Sequence, residues 1–298
     1  MLIRNFVAPK VKKAAEVSRN FLKILFIVVA ALLPQLSSGQ ITVIPGERYY
    51  DADSVIREFD KRPYFSLFKD NYIAVGSELG SRPTAKNTDL KFQVSFRQRL
   101  TRTVLPFHTY LFLSYSQKCL WYVFDDPNPV HDLNFNPGIG FTRPIVDKDR
   151  VVGNVTLMLE HESNGRDSIF SRSWNKISLG GNLYITPSIM VHGKFWIPII
   201  DGKNNSDILD YYGIFQAGVQ FVSPNKRWVF SALVTKRKGW NLNANTMIQF
   251  GFRLHRDANQ FLFAEYFNGY GESLLDYNRY HSRLRVGILI RPQFFSDF

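Results

Sequence analysis

One cysteine, Cys119, stands in 298 residues, so no disulfide can close within the chain and no cysteine-rich metal centre can form. Long apolar runs are also scarce. The longest, "ILFIVVAALL" at 24–33, has ten residues, against the ~20 that an α-helix needs to cross a bilayer. Blocks of like charge are missing too. The 37 Lys and Arg and 25 Asp and Glu are scattered, which gives no support to a nucleic-acid partner.

Aromatic residues, by contrast, are abundant: 15% of the chain, with 26 Phe and 14 Tyr. Such an excess without long apolar runs points to β architecture, and to barrels with aromatic girdles in particular. The first forty residues differ from the rest. Arg4, Lys10, Lys12, Lys13, Arg19 and Lys23 precede the ten-residue apolar run, and "PQLSSGQ" follows it. A basic region, a short apolar core and small residues at Ser37 and Gly39 read as a cleavable signal peptide over 1–39. Its removal leaves 31 basic and 24 acidic residues, a net charge of +7.

Beyond it, apolar and polar residues alternate with period two. Phe92, Val94 and Phe96 oppose Lys91, Gln93, Ser95 and Arg97; Leu284, Val286, Ile288 and Ile290 oppose Arg283, Arg285 and Arg291. A further segment sets Phe215, Ala217, Val219 and Phe221 against Gln216, Gly218 and Gln220. Each is about as long as a tilted membrane strand, ~9–11 residues. A soluble sandwich also alternates, but export, strand length and wide aromatic flanks favour a transmembrane antiparallel β-barrel. Segments near 71–79, 91–99, 107–117, 135–143, 153–163, 174–185, 189–198, 212–222, 226–236, 245–254, 259–268 and 281–291 predict about twelve strands, an allowed even number. Residues 40–70 then form an N-terminal extension and 71–298 the barrel, with an aromatic-rich last strand, "RPQFFSDF", ending at Phe298.

Side chains at i, i+2 and i+4 of a strand share a face. In "NVTLMLEHES", Val155, Leu157, Leu159, His161 and Ser163 form one such set, and it is the lipid-facing one. On the returning strand Asn175 is in phase with Ile177, Leu179 and Leu183. Pairing 161 with 175 around the intervening polar loop brings Ser163, His161 and Asn175 into a row outside the barrel. Serine becomes nucleophilic when an imidazole takes its proton, and a third group must hold that imidazole in the right tautomer. A lone H-x-S means little, and a polar hairpin tip is ordinary turn chemistry. Three such residues in phase on a lipid-facing wall, where polar groups are costly, carry more weight.

"HESNGRDSIFSRSWN" (161–175) resembles the active-site signature of the outer-membrane phospholipase A family, as do "YSQKCLW" (115–121), "NFNPGIGF" (134–141) and "GYGESLLDYN" (269–278). The resemblance covers most of 70–298. It implies a phospholipase of the bacterial outer membrane that hydrolyses acyl esters of phospholipids, A1 and A2 together with lysophospholipids, and is active as a homodimer. It implies His161 as general base, Ser163 as nucleophile, Asn175 as orienting residue and the Gly165 amide as an oxyanion donor. It also implies Ca²⁺, held by the Arg166 carbonyl and the Ser171 hydroxyl, with a partner's loop carbonyl that aligns loosely to Pro127 or Asn128. A further family calcium position falls on Asn204, whose neutral side chain weakens it. Independently of the family, a cation with hard oxygen ligands suits the oxyanion of ester hydrolysis.

Gln117, in phase with Leu111, Leu113 and Tyr115, faces lipid. An amide there is better satisfied against another protein than in hydrocarbon, and the family forms dimers through a glutamine at this position. The competing reading is a non-enzymatic barrel, porin-like or structural, with a degenerate site. A barrel protease is a third option, for which no paired carboxylates are evident. The lumen arginines Arg97, Arg283 and Arg285 could meet Glu265 or Glu272 in a plug.

Overall fold

The computed structural model describes residues 52–200, 203–239, 241–255 and 258–292. The signal peptide expected at 1–39 and the terminal 293–298 lie outside these residues. Twelve strands form the wall. They are β2 (Asn71–Glu78), β3 (Thr88–Arg99), β4 (Tyr110–Trp121), β5 (Val130–Asp147), β6 (Arg150–Ser163), β7 (Ser173–Thr186), β8 (Ile189–Ile199), β9 (Phe215–Val222), β10 (Trp228–Lys236), β11 (Ala244–Arg253), β12 (Gln260–Gly269) and β13 (His281–Ile290). Each pairs antiparallel with its sequence neighbours, and β13 pairs with β2, so that twelve strands close into a barrel.

The expected segments and the observed strands agree in number and order. They differ at some ends. β4 continues to Trp121 rather than 117, and β5 begins at Val130 rather than 135. Prolines at 137 and 144 obscure β5 in the sequence, because proline cannot donate to a ladder. The structure accommodates Pro137 at a gap in the β5–β6 register, between the pairs Phe135↔Ser163 and Gly138↔Glu160. There the Asn136 amide donates to the His161 carbonyl instead (2.9 Å).

One barrel end carries short turns at 148–149, 187–188 and 223–227; the other carries the loops 122–129, 164–172, 200–214 and 270–280. Longer loops mark the extracellular end of such barrels. Along β6 the alternation is sharp: Leu157 and Leu159 are about half exposed on the outside, while Met158 and Glu160 are buried inside.

The lumen is packed rather than open. Arg285 donates to Asp89 through Nε (2.7 Å) and Nη2 (2.8 Å), and to Glu272 through Nη1 (2.5 Å). Arg283 donates to Asp89 (2.7 Å), and Lys91 joins Glu265 (2.7 Å) to Glu272 (3.3 Å). The expected plug therefore exists for Arg283 and Arg285, whereas Arg97 donates to the Ser66 hydroxyl (3.0 Å). Glu272 comes from the 270–280 loop, which folds into the barrel with Glu272, Ser273 and Leu274 buried. Also on that loop, burial would raise the Asp276 carboxyl; hydrogen bonds from His131, His281 and Ser273 outweigh it and hold the group well below the usual carboxylate range.

Two further pieces fill the ends. Helix α1 (Ala52–Asp60) buries Val55 and Phe59, one turn apart, and Phe59 clusters with Phe68, Tyr110, Phe112 and Met158. After it a two-residue strand, β1 (Phe65–Ser66), pairs with Gln98 and Arg97 of β3. At the long-loop end, helix α2 (Ile208–Tyr212) places Ile208 against Trp174, Trp196, Leu274 and Tyr277. A cavity of about 230 Å³ lies within the wall, lined by groups that include Lys118, Lys176, Glu162 and Glu272. This interior is unlike the water-filled channel of a porin.

Candidate active site

The hairpin β6–β7 builds the site. His161 and Asn175 are register partners, two residues below the Ser163↔Ser173 pair, so all three candidate side chains share the outer face of the wall. His161 Nδ1 donates to Asn175 Oδ1 at 2.8 Å. An amide oxygen only accepts, so this bond puts the imidazole proton on Nδ1 and leaves the Nε2 lone pair free to take another. Ser163 follows on the same face, roughly 7 Å along the backbone from His161. All three residues are half-buried on a wall of exposed Leu157, Leu159, Ile177 and Leu179.

The loop after Ser163 is shaped by one buried side chain. Asn164 donates to the Phe170 carbonyl (2.9 Å) and accepts from the Arg172 amide (3.0 Å), while its own N–H bonds the Arg172 carbonyl (3.1 Å). The turn so closed holds Gly165 at φ +62°, the left-handed region. A Cβ there would also meet the Phe135 ring at 2.9 Å. Both constraints call for glycine at the position expected to offer the oxyanion N–H. Asn164 and Asn136 have supporting roles that period-two alternation does not reveal, although both lie within the segments 161–175 and 134–141.

The expected calcium residues are only partly gathered. Arg166 and Ser171 lie on the 164–172 loop. Asn204 reaches the same loop from 200–214, donating to the carbonyls of Ser168 (2.8 Å) and Ser171 (3.4 Å). Pro127 and Asn128 belong to the neighbouring 122–129 loop. There the Asp126–Pro127 peptide is cis, and the Asn128 carbonyl accepts from the Trp121 indole (2.8 Å). Among the described residues, no cluster of three or more His, Cys, Asp or Glu could hold a metal. The loop offers neutral oxygens instead, carbonyls and the Ser171 hydroxyl, a donor set that fits a hard cation such as Ca²⁺ and no softer metal. The amide of Asn204 adds no charge to it.

Gln117 stands in the same transverse row as Ser163. The register runs Val94↔Gln117, Gln117↔Phe135 and Phe135↔Ser163, so Gln117 lies two strands away, roughly 10 Å, at equal height. Its Oε1 accepts from the Tyr115 hydroxyl (2.9 Å).

Comparison with known proteins decides the family. The family model for phospholipase A1 matches residues 61–290. The chain belongs to the phospholipase A1 family. Phospholipase A1 of Escherichia coli (strain K12) is 27% identical over 220 residues, 70% of this chain and 72% of the relative. That of Proteus vulgaris is 24% identical over 295 residues, 90% and 98%. Among solved structures, outer membrane phospholipase A from Escherichia coli superposes with a TM-score of 0.67 at 24% identity, covering 77% of this chain and 99% of that one. The Salmonella typhi outer membrane phospholipase dimer with bound calcium superposes at 0.69 with 23% identity, covering 81% and 99%. The phospholipase A1 relatives and the twelve-strand barrel agree: this chain is an outer-membrane phospholipase.

Proposed function

We propose that the chain hydrolyses phospholipid acyl esters through Ser163, His161 and Asn175, with Ca²⁺ required and with two copies needed for activity. The observation that carries this reading is the 2.8 Å bond from His161 to Asn175 on the lipid-facing wall, two residues from Ser163. A polar pair has little reason to stand among exposed leucines unless it works there.

In this reading a phospholipid of the outer leaflet lies against β6 and β7 with its ester at the height of Ser163. His161 Nε2 removes the Ser163 hydroxyl proton as Oγ attacks the ester carbonyl. Asn175 keeps the imidazole in the reactive tautomer, though without a carboxylate's charge to steady the imidazolium. The Gly165 N–H donates to the developing oxyanion. Collapse of the tetrahedral intermediate expels the lysophospholipid alkoxide, which takes the proton from His161 and leaves an acyl-serine. Water, activated by the same imidazole, then releases the fatty acid and restores Ser163. In this reading one site carries A1, A2 and lysophospholipase activity.

The Arg166 carbonyl and the Ser171 hydroxyl would hold Ca²⁺, which would supply positive charge to stabilise the oxyanion. A carbonyl of the 127–128 segment of a second copy would complete its ligands, and Asn204 would mark a weaker second position. The need for a second copy is supported by the shape of the wall, since one wall gives an acyl chain half a cleft. Gln117, in the row of Ser163, would hydrogen-bond its counterpart and help close that cleft. The test is fatty-acid release from phospholipid by refolded protein, with Ca²⁺ and with chelator. Release that needs Ca²⁺ and disappears in Ser163→Ala is expected; ion conduction without release under either condition would support a porin instead.

A further inference from the structure

Residues 165–170 are exposed, and an exposed loop needs anchors if one of its amides is to point steadily at a reacting oxygen. Asn164 anchors its base. Next to Gly165, the Arg166 side chain turns back toward the start of β5. Its Nη2 donates to the His131 carbonyl (2.6 Å), and its Nε lies 3.9 Å from Asp132 Oδ1. Asp132 is fully buried, and Oδ1 accepts no hydrogen bond among the described residues. Arg166 brings a cation to face that oxygen.

The other oxygen of Asp132 looks inward. Oδ2 accepts from the Leu275 N–H (2.9 Å) and from the Asn134 amide (2.6 Å), while Asn134 Oδ1 accepts from the Leu274 N–H (3.2 Å). Leu274 and Leu275 belong to the loop that plugs the lumen. One carboxylate thus touches the plug with one oxygen and faces the active-site loop with the other.

We infer that Arg166 and Asp132 are positioning residues which tie the loop bearing the Gly165 amide to the plug at 270–280, so that the packing of the lumen sets the order of the site outside it. The inference rests on the catalytic reading above for its effect on turnover, but the anchoring itself does not. Lysine at 166 can reach the His131 carbonyl with one donor but cannot reproduce the guanidinium's two-sided contact. Asparagine at 132 keeps the acceptor for Leu275 and removes the charge facing Arg166.

The experiment is amide hydrogen exchange, read by mass spectrometry on refolded protein in detergent, for wild type, Arg166→Met, Arg166→Lys and Asp132→Asn. Exchange across 164–172 should rise about tenfold or more in Arg166→Met, the scale of a lost charge-assisted hydrogen bond. It should rise less in Arg166→Lys and Asp132→Asn, with β6 and β7 unchanged. On phospholipid, kcat should fall in the same order with KM nearly constant. The double variant Arg166→Met with Asp132→Asn should be no slower than Arg166→Met alone. Wild-type exchange in the loop of Arg166→Met would overturn the inference; should that variant not refold, the same result in the other two decides. A wild-type protein that releases no fatty acid would overturn the catalytic reading alone, and the exchange result would still stand.

Discussion

The two faces of the β6–β7 hairpin treat polar groups under opposite rules. Inside, Glu160 is met by Lys194 (2.9 Å) and by the Ser178 hydroxyl (2.5 Å), and Glu162 by Lys176 (3.3 Å). These charges are matched within the protein, and their work is to fill a lumen. Outside, one residue away along the same strand, His161 bonds Asn175 on a wall of exposed leucines and isoleucine. Inner polarity is compensated and structural, whereas outer polarity is left with unspent chemistry: the Nε2 lone pair and the Ser163 hydroxyl. On the proposed mechanism, what separates a packing residue from a reacting one here is the side of the strand it occupies.

The comparison can be broken first from outside. Ser163→Ala and His161→Ala should each lower fatty-acid release by roughly 10³-fold or more, while the heat-modifiable electrophoretic mobility of the barrel stays that of wild type. Near-normal turnover in Ser163→Ala would sink the assignment. From inside, Glu160→Gln should do the reverse. Stranding Lys194 without its carboxylate should cost about 3–5 kcal/mol of stability, on the scale of breaking a buried ion pair, with the chemical step of the residual folded protein little changed. Denaturant titration alongside the lipase assay separates these effects, and loss of kcat without loss of stability would merge the two faces again.

A milder outer change sharpens the contrast. Asn175→Ala removes an orienting group rather than a reacting one, and a drop of roughly 10–100-fold in kcat is expected by analogy with other orienting partners of histidine. Loss as complete as in His161→Ala would mean that the amide does more than orient. Smaller still is Gln117→Ala. Hydrogen bonds between helices in lipid contribute ~0.6–2 kcal/mol, so sedimentation in detergent with Ca²⁺ should show a several-fold weaker dimer and activity reduced in proportion. Full activity in a strictly monomeric protein would contradict the dimer requirement. The smallest effect expected is that of mild acid on the plug. Asp276 is held below its ordinary range in the folded state, so its contribution is present above a pH of about 4 and is lost only as pH falls further. Unfolding free energy between pH 7 and pH 5 should show no loss that Asp276→Asn removes.

Much of this was legible in the residues because a barrel wall has a strict period of two. Each of the twelve segments carries its lipid face openly, and the outward phase of His161, Ser163, Asn175 and Gln117 follows from counting along strands. Where the period is broken, legibility fails. Pro137 and the inward Asp132 and Asn134 hid the first third of β5. The plug was readable only as charges without partners, since Arg285 meets Asp89 across 196 residues of chain. Glu272 and Asp276 look in sequence like the solvated residues of any loop. The tie from Arg166 to Asp132 was illegible for the same reason: it joins a loop to a strand start that alternation could not place.

The most direct test of the account is covalent labelling. Refolded wild type with Ca²⁺ should be treated with a long-chain alkyl phosphonofluoridate, which reacts with a serine whose proton an imidazole has taken, and the adduct should be located by peptide mass spectrometry. A single adduct on Ser163, formed in parallel with loss of hydrolysis and absent from His161→Ala, is the result expected. Labelling on any other serine, or unimpaired hydrolysis by protein fully labelled at Ser163, would contradict it.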